Sequence, residues 1–292
     1  MSRLRKALET GGFPVTSEIG PPKGTRVDHV LEEASKLKDK VAAVNVTDLQ
    51  SAVMRVGSLV MCIRLKEMGV EPVLQVTCRD RNRISLQSEL LSADVMGVEN
   101  VLCLTGDHIV LGDHQEARPV FDLDSVQLLK AVEILNGGHD LAGHELEGAP
   151  NLFAGAVTTP EFEPMDLQLL KMKKKIDAGA KFFQTQAVYD TEKFKAFMDR
   201  VSGWNVPVMA GLVLLKSPGM AKFMNKNVAG VFVPDNLIEE IKKTPKADRK
   251  KKAAEIAARI IREVRPYCQG IHLMPLEWDE VVPDIIEQAE LQ

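Results

Sequence analysis

Phe13-Pro14-Val15-Thr16-Ser17-Glu18-Ile19 is a short apolar run, and Gly20-Pro21-Pro22 follows it at once. Two successive prolines fix φ and remove backbone donors, so a strand ends there. Glu18 is thereby left at the C-terminal rim of the first buried strand. Working outward, short β-branched runs alternate with longer stretches of helical period almost from end to end of the 292 residues. Strands are expected over residues 14–19, 41–47, 72–78, 100–104, 152–157, 180–185, 207–213 and 271–275. Helices are expected over 27–40, 52–68, 83–96, 124–135, 165–178, 191–201, 218–265 and 279–291. Eight strand-helix units predict an α/β protein of the (β/α)8 TIM barrel class, with residues 1–292 as one domain. The competing architecture is an open doubly wound sheet, whose G-x-G-x-x-G signature is absent after the first strand.

Composition narrows the function. Hydrophobic residues are 45% and charged residues 27%, as in a globular protein, and no window nears the roughly 18 unbroken apolar residues of a membrane span. The start Met1-Ser2-Arg3-Leu4-Arg5-Lys6 is basic without the apolar segment of a secretory signal, so a cytoplasmic location is expected. A net charge of -4 and 5% aromatic residues argue against nucleic acid as a partner. Lys242-Lys243 and Arg249-Lys250-Lys251-Lys252 read as the solvated face of a long polar helix. Cys62, Cys78, Cys103 and Cys268 show no C-x-x-C spacing, and the six histidines no H-x-x-x-H on a helix. No metal ligand set is predicted, and each histidine is expected at the surface or in support of another residue. G-x-S-x-G is absent, and no Ser-His-Asp or Cys-His order stands out, which leaves covalent hydrolysis unsupported.

Polar groups recur where barrel strands should end: Glu18, Thr47-Asp48, Thr105-Gly106-Asp107 and Gln184-Thr185-Gln186. Far apart in sequence, they converge on one mouth if the strands close into a barrel, and active sites of such barrels lie at that mouth. Each also has a plain structural reading. Glu18 caps the next segment or pairs with a lysine, Asp107 serves a turn, and Gln184 and Gln186 belong to a buried amide network. Their coincidence at one rim favours chemistry, with Glu18 as candidate general acid or base. The loop 108–119 after the fourth strand is long enough to suggest a functional role.

At these residues the chain resembles the methylenetetrahydrofolate reductase family of flavin-containing (β/α)8 barrels. The resemblance rests on Ser17-Glu18-Ile19-Gly20-Pro21-Pro22, Val46-Thr47-Asp48, Val76-Thr77-Cys78, Leu104-Thr105-Gly106-Asp107, Lys173 to Ala180 and Thr185-Gln186, in family order. It implies reduction of 5,10-methylenetetrahydrofolate to 5-methyltetrahydrofolate by hydride from a reduced flavin. By the same resemblance Glu18 is the general acid, Asp107 binds the pterin and stabilises a cationic intermediate, and Gln186 hydrogen-bonds the pterin. Thr47, Thr77, Lys174 and Lys175 match flavin-contacting positions.

The chain departs from the family pattern at Gln75, where histidine is common, and at Thr105, where many members have arginine. Gln168 and Lys171 replace an acid and an amide that contact the adenosine half of FAD in the family, so a flavin, FMN or FAD, is expected, with FMN slightly preferred. The overall wording resembles reductases of acetogenic anaerobes, which implies a zinc or iron-sulfur partner subunit delivering electrons. Two rival readings are a pterin-binding barrel methyltransferase without flavin and a noncatalytic docking subunit.

Overall fold

The computed structural model describes residues 1–291. Eight strands, β1 (Val15–Ile19), β2 (Ala43–Val46), β3 (Pro72–Thr77), β4 (Asn100–Leu104), β5 (Phe153–Thr158), β6 (Phe182–Ala187), β7 (Val208–Val213) and β8 (Gly270–Met274), form a closed barrel in sequence order. Every neighbouring pair is parallel, and β8 closes on β1 through Val15↔Ile271, Thr16↔His272 and Ser17↔Leu273. The expected TIM barrel is therefore present. Closure leaves no exposed sheet edge and puts all strand C-termini at one end.

An outer apolar layer joins the strands to the surrounding helices, and a separate inner cluster fills the bottom of the barrel. The inner cluster includes Ala43, Val73, Phe153, Phe182 and Met209, most of them near the N-terminal ends of their strands. Helix α1 (Arg3–Glu9), which the sequence reading did not anticipate, adds buried Leu4 and Leu8 to this cluster. Its N-cap Ser2 donates its hydroxyl to Asn100 Oδ1 at 2.6 Å. The N-terminal end of the barrel is plugged, and only the C-terminal end remains open for a ligand.

The helices after each strand match expectation, α7 (Thr191–Val201) to the residue and α5 (Ser125–Asn136) shifted by one, while α2 (Asp28–Lys36), α3 (Ser58–Glu67), α4 (Arg83–Val95) and α6 (Met165–Asp177) are shorter. The expected single helical stretch 218–265 is instead three helices, α8 (Pro218–Asn227), α9 (Asp235–Lys243) and α10 (Arg249–Val264). Pro234 is the N-cap of α9, and Pro245 precedes the short turn that leads into α10, because proline begins a helix more readily than it continues one. α11 (Val282–Gln288) ends the barrel. The basic residues of α10 do lie in a surface network, with Lys250 on Glu280 and Lys252 on Glu255 and Glu240. Among the described residues no helix is long and apolar enough to cross a membrane.

Gly155 shows how tightly the barrel floor is filled. Phe153 and Phe182 stack at 5.2 Å between ring centroids, and a Cβ at Gly155 would sit 2.3 Å from Phe182 Cζ. The missing side chain is the space the second ring occupies. Gly155→Ala is expected to destabilise the protein by about 1–3 kcal/mol through overpacking. Urea denaturation checks this, and Phe182→Leu in the same background should recover part of the loss.

Candidate functional site

Glu18 enters the mouth from the end of β1 on a buried, fully paired strand, and its carboxylate is held on one side. Gln75 Nε2 donates to Glu18 Oε2 at 2.8 Å, and His272 Nε2 lies 3.7 Å from the same oxygen. Beneath them runs a chain of buried polar groups. Thr16 Oγ1 meets His272 Nδ1 at 2.9 Å and accepts from Gln184 Nε2 at 3.3 Å. Gln184 and Asn45 exchange amide hydrogen bonds at 2.7 and 3.2 Å.

The network assigns the imidazole tautomer. Thr16 carries one hydroxyl hydrogen, and its best acceptor is His272 Nδ1, since the Ile271 carbonyl is farther at 3.4 Å. Nδ1 then accepts, and the ring hydrogen sits on Nε2, facing Glu18. His272 thus belongs to the supporting kind of histidine, and its position inside β8, opposite Thr16 in register, is the signal that reveals it.

The other strand-end groups arrive around the same opening. Asp48 accepts from the Thr77 backbone N–H at 2.8 Å, the Thr77 hydroxyl at 2.9 Å and the Arg81 guanidinium. It therefore acts as the tie between β2 and β3. Asp107 is exposed and accepts from the Ser51 N–H at 3.1 Å through Oδ2. Gln184 and Gln186 face the opening together, as the two-residue period of a strand requires. Where β6 meets β7 the register slips between Gln184 and Ala187, and Gly211 donates its N–H to Thr185 Oγ1 at 2.8 Å. A Cβ at Gly211 would lie 2.1 Å from the Thr185 carbonyl, so this bulge needs glycine there.

Opposite the carboxylates stand two ammonium groups on one face of α6, Lys171 and Lys175, with Gln168 one turn earlier. Lys175 donates to the Val157 carbonyl at 2.7 Å, and burial, with Lys171 nearby, lowers its pKa to about 8.

Glu18, Thr77, Asp107, Lys175 and Gln186 thus line one cavity of about 480 Å³, together with Gln75, Gln168, Lys171, Thr105 and His272. Two of the expected residues are not in its lining. Lys174 is exposed on α6, a helical step away from the face of Lys171 and Lys175. Thr47 is buried at the end of β2, with its hydroxyl unpartnered. Gln184, His272 and Arg79 line the cavity although the sequence reading gave none of them a ligand role. Among the described residues no group of three His, Cys, Asp or Glu side chains is arranged to hold a metal. The cavity can present a proton donor from β1, carboxylates from the second and fourth strand ends, and positive charge from α6.

The family model described as methylenetetrahydrofolate reductase matches residues 3–290. A 5,10-methylenetetrahydrofolate reductase of Pectobacterium carotovorum is 26% identical over 209 residues, which are 70% of this chain and 64% of that protein. The Escherichia coli protein of the same name is 26% identical over 218 residues, 73% of this chain and 68% of that one. Methylenetetrahydrofolate reductase 2 of Schizosaccharomyces pombe is 23% identical, and the match spans only 35% of its length. Among solved structures, an uncharacterised protein from Clostridium thermocellum that binds two copies of 5-methyl-5,6,7,8-tetrahydrofolic acid superposes with a TM-score of 0.67. It shares 18% identity over 99% of both chains, a likeness of fold.

Proposed function

The chain belongs to the methylenetetrahydrofolate reductase family, and from that premise we propose that it reduces 5,10-methylenetetrahydrofolate to 5-methyltetrahydrofolate with a bound flavin. The single observation that carries the reading is the company Glu18 keeps. An acid from the first strand, one from the fourth strand end and an amide from the sixth share one cavity with a half-buried lysine. Support for a folate substrate comes also from the names of the relatives and from the folate-binding neighbour of the same fold.

The substrate carries a methylene bridge between N5 and N10. Protonation at N10 breaks the N10–CH2 bond and leaves an iminium at N5, and Glu18 is the donor of that proton. The Gln75 amide and the His272 Nε2–H both face the carboxylate that results, so the negative charge appears where donors already point. The free oxygen of Asp107 offsets the positive charge of the iminium, while Gln186 offers its amide to the pterin. A flavin held in this cavity would, when reduced, supply the hydride for the methylene carbon, which becomes the methyl group.

The residues present fit a flavin phosphate. Lys175 is a half-buried ammonium whose one protein hydrogen bond goes to a carbonyl, and Lys171 stands one turn before it on the same face. Two ammonium groups and the Gln168 amide suit a terminal phosphate dianion. That is the reading's ground for FMN over FAD.

Glu18→Gln is expected to retain flavin and to slow folate reduction by about 10²–10⁴-fold. Anaerobic stopped flow, following flavin reoxidation by methylenetetrahydrofolate, reads this directly, and an undiminished rate would remove Glu18 from the mechanism. A colourless protein that still binds methyltetrahydrofolate would favour the methyltransferase reading instead. Mass spectrometry of the extracted flavin should give FMN, and intact FAD would overturn that assignment. Because the Lys175 ammonium is kept below about pH 8 and lost above it, FMN affinity of the apoprotein should fall as pH rises through that value. Lys175→Arg, which stays charged, should flatten the profile in a fluorescence titration.

A further inference from the structure

Arg79 is almost fully buried beside the cavity, and its guanidinium touches three parts of the chain. Nε and Nη2 bind the Asp80 carboxylate at 2.7–3.0 Å. Nη2 also donates to the Leu49 carbonyl at 3.1 Å, and Nη1 donates to the Asp107 carbonyl at 3.2 Å. Gly106, at φ +92°, lets the chain cross over this side chain, since a Cβ there would lie 3.2 Å from Arg79 Cβ.

The turn that Arg79 grips is strained. Leu49, Ser51 and Ala52 have φ of 47°, 57° and 57°, in the left-handed region that costs a non-glycine residue about 1 kcal/mol or more each. Such a turn persists only when neighbours hold it. Besides Arg79, the loop after β4 holds it: Asp107 Oδ2 takes the Ser51 N–H at 3.1 Å, and Gly112 packs so closely that a Cβ would lie 2.0 Å from the Ala52 carbonyl. Arg79 ties the same two loops from beneath.

We propose that Arg79 is a positioning residue for the Asp107 carboxylate. The charge of its guanidinium is met by Asp80, and it touches Asp107 only at the main-chain oxygen. Arg79 therefore fixes where the Asp107 carboxylate stands without neutralising it, and the negative charge remains for a cationic ligand. This rests on the reading of Asp107 as the group that meets the pterin cation. A lysine has one nitrogen and cannot span Asp80 and both carbonyls.

The test is a double-mutant cycle between Arg79→Lys and Asp107→Asn, read by steady-state kinetics and by amide exchange over residues 49–54. Arg79→Lys should raise KM for methylenetetrahydrofolate about tenfold with flavin content unchanged, and in the Asp107→Asn background the same change should have less than a twofold effect. Exchange at the Ser51 amide should accelerate in Arg79→Lys, whereas Asp107→Asn keeps an oxygen that accepts the Ser51 N–H and should leave it protected. Equal kinetic effects in both backgrounds would reduce Arg79 to a fold-supporting residue and overturn the proposal. Should Arg79→Lys not fold, Arg79→Gln, which keeps a planar donor for the Asp107 carbonyl, takes its place in the cycle, and equal kinetic effects in both backgrounds overturn the proposal as well. A wild-type protein inert toward folate would count against the proposed function instead, while the exchange data, taken without substrate, still decide whether Arg79 holds the turn.

Discussion

The reciprocal amide pair between Asn45 and Gln184 is the interaction on which the mouth of this barrel depends. Both side chains are buried, and each leaves donors and acceptors that water cannot reach. An unpaired buried amide costs roughly 1–3 kcal/mol. Pairing the two across the barrel satisfies both at once, and the spare hydrogen of Gln184 passes on to Thr16. From there the shorter contact sets the order: Thr16 gives its hydrogen to His272 rather than to the Ile271 carbonyl, and the imidazole turns its own hydrogen toward Glu18. The polar layer separates the phenylalanine-rich floor from the mouth, so a carboxylate can stand at the end of β1 without resting on hydrocarbon.

The same layering distributes charge. The carboxylates come from the strand ends of the first half of the barrel, and the ammonium groups come from α6 in the second half. Asp80 gives both oxygens to Arg79, and Asp48 gathers Arg81 and two groups of Thr77 on one oxygen, so an arginine meets the charge of each. Among the described residues neither Glu18 nor Asp107 is in an ion pair with a lysine or arginine. A site that separates committed acids from available ones can act on a substrate that becomes cationic during reaction, because stabilising charge is present before it is needed.

Much of this was legible in the residues. Alternation of β-branched runs with helical stretches gave the barrel, since buried parallel strands leave that pattern whatever their partners. Gly20-Pro21-Pro22 placed Glu18 at a rim because proline cannot continue a strand. What the residues do not display depends on three-dimensional partners. Helix α1 is seven residues with two buried leucines, too short to show a period, and it is a plug only because the barrel floor is apolar. His272 reads as an ordinary strand residue until β8 closes on β1 and puts it opposite Thr16. Arg79 follows a strand and reads as a surface charge, and only the crossing of two loops over it buries the guanidinium. The left-handed residues of the turn at 49–52 carry no glycine to announce them.

Helix period, rather than the lysine run itself, selects the cation at the cavity. Lys173, Lys174 and Lys175 are adjacent in sequence, yet a helix turns about 100° per residue, and Lys175 shares its face with Lys171 and Gln168, three and four residues apart. Lys174 is carried out to solvent, and Lys173 pairs with Asp177. The cost of that selection falls on Lys175, whose ammonium is desolvated beside a second positive group with only the Val157 carbonyl as partner. A phosphate would relieve both the desolvation and the repulsion, which a carbonyl partner alone does not.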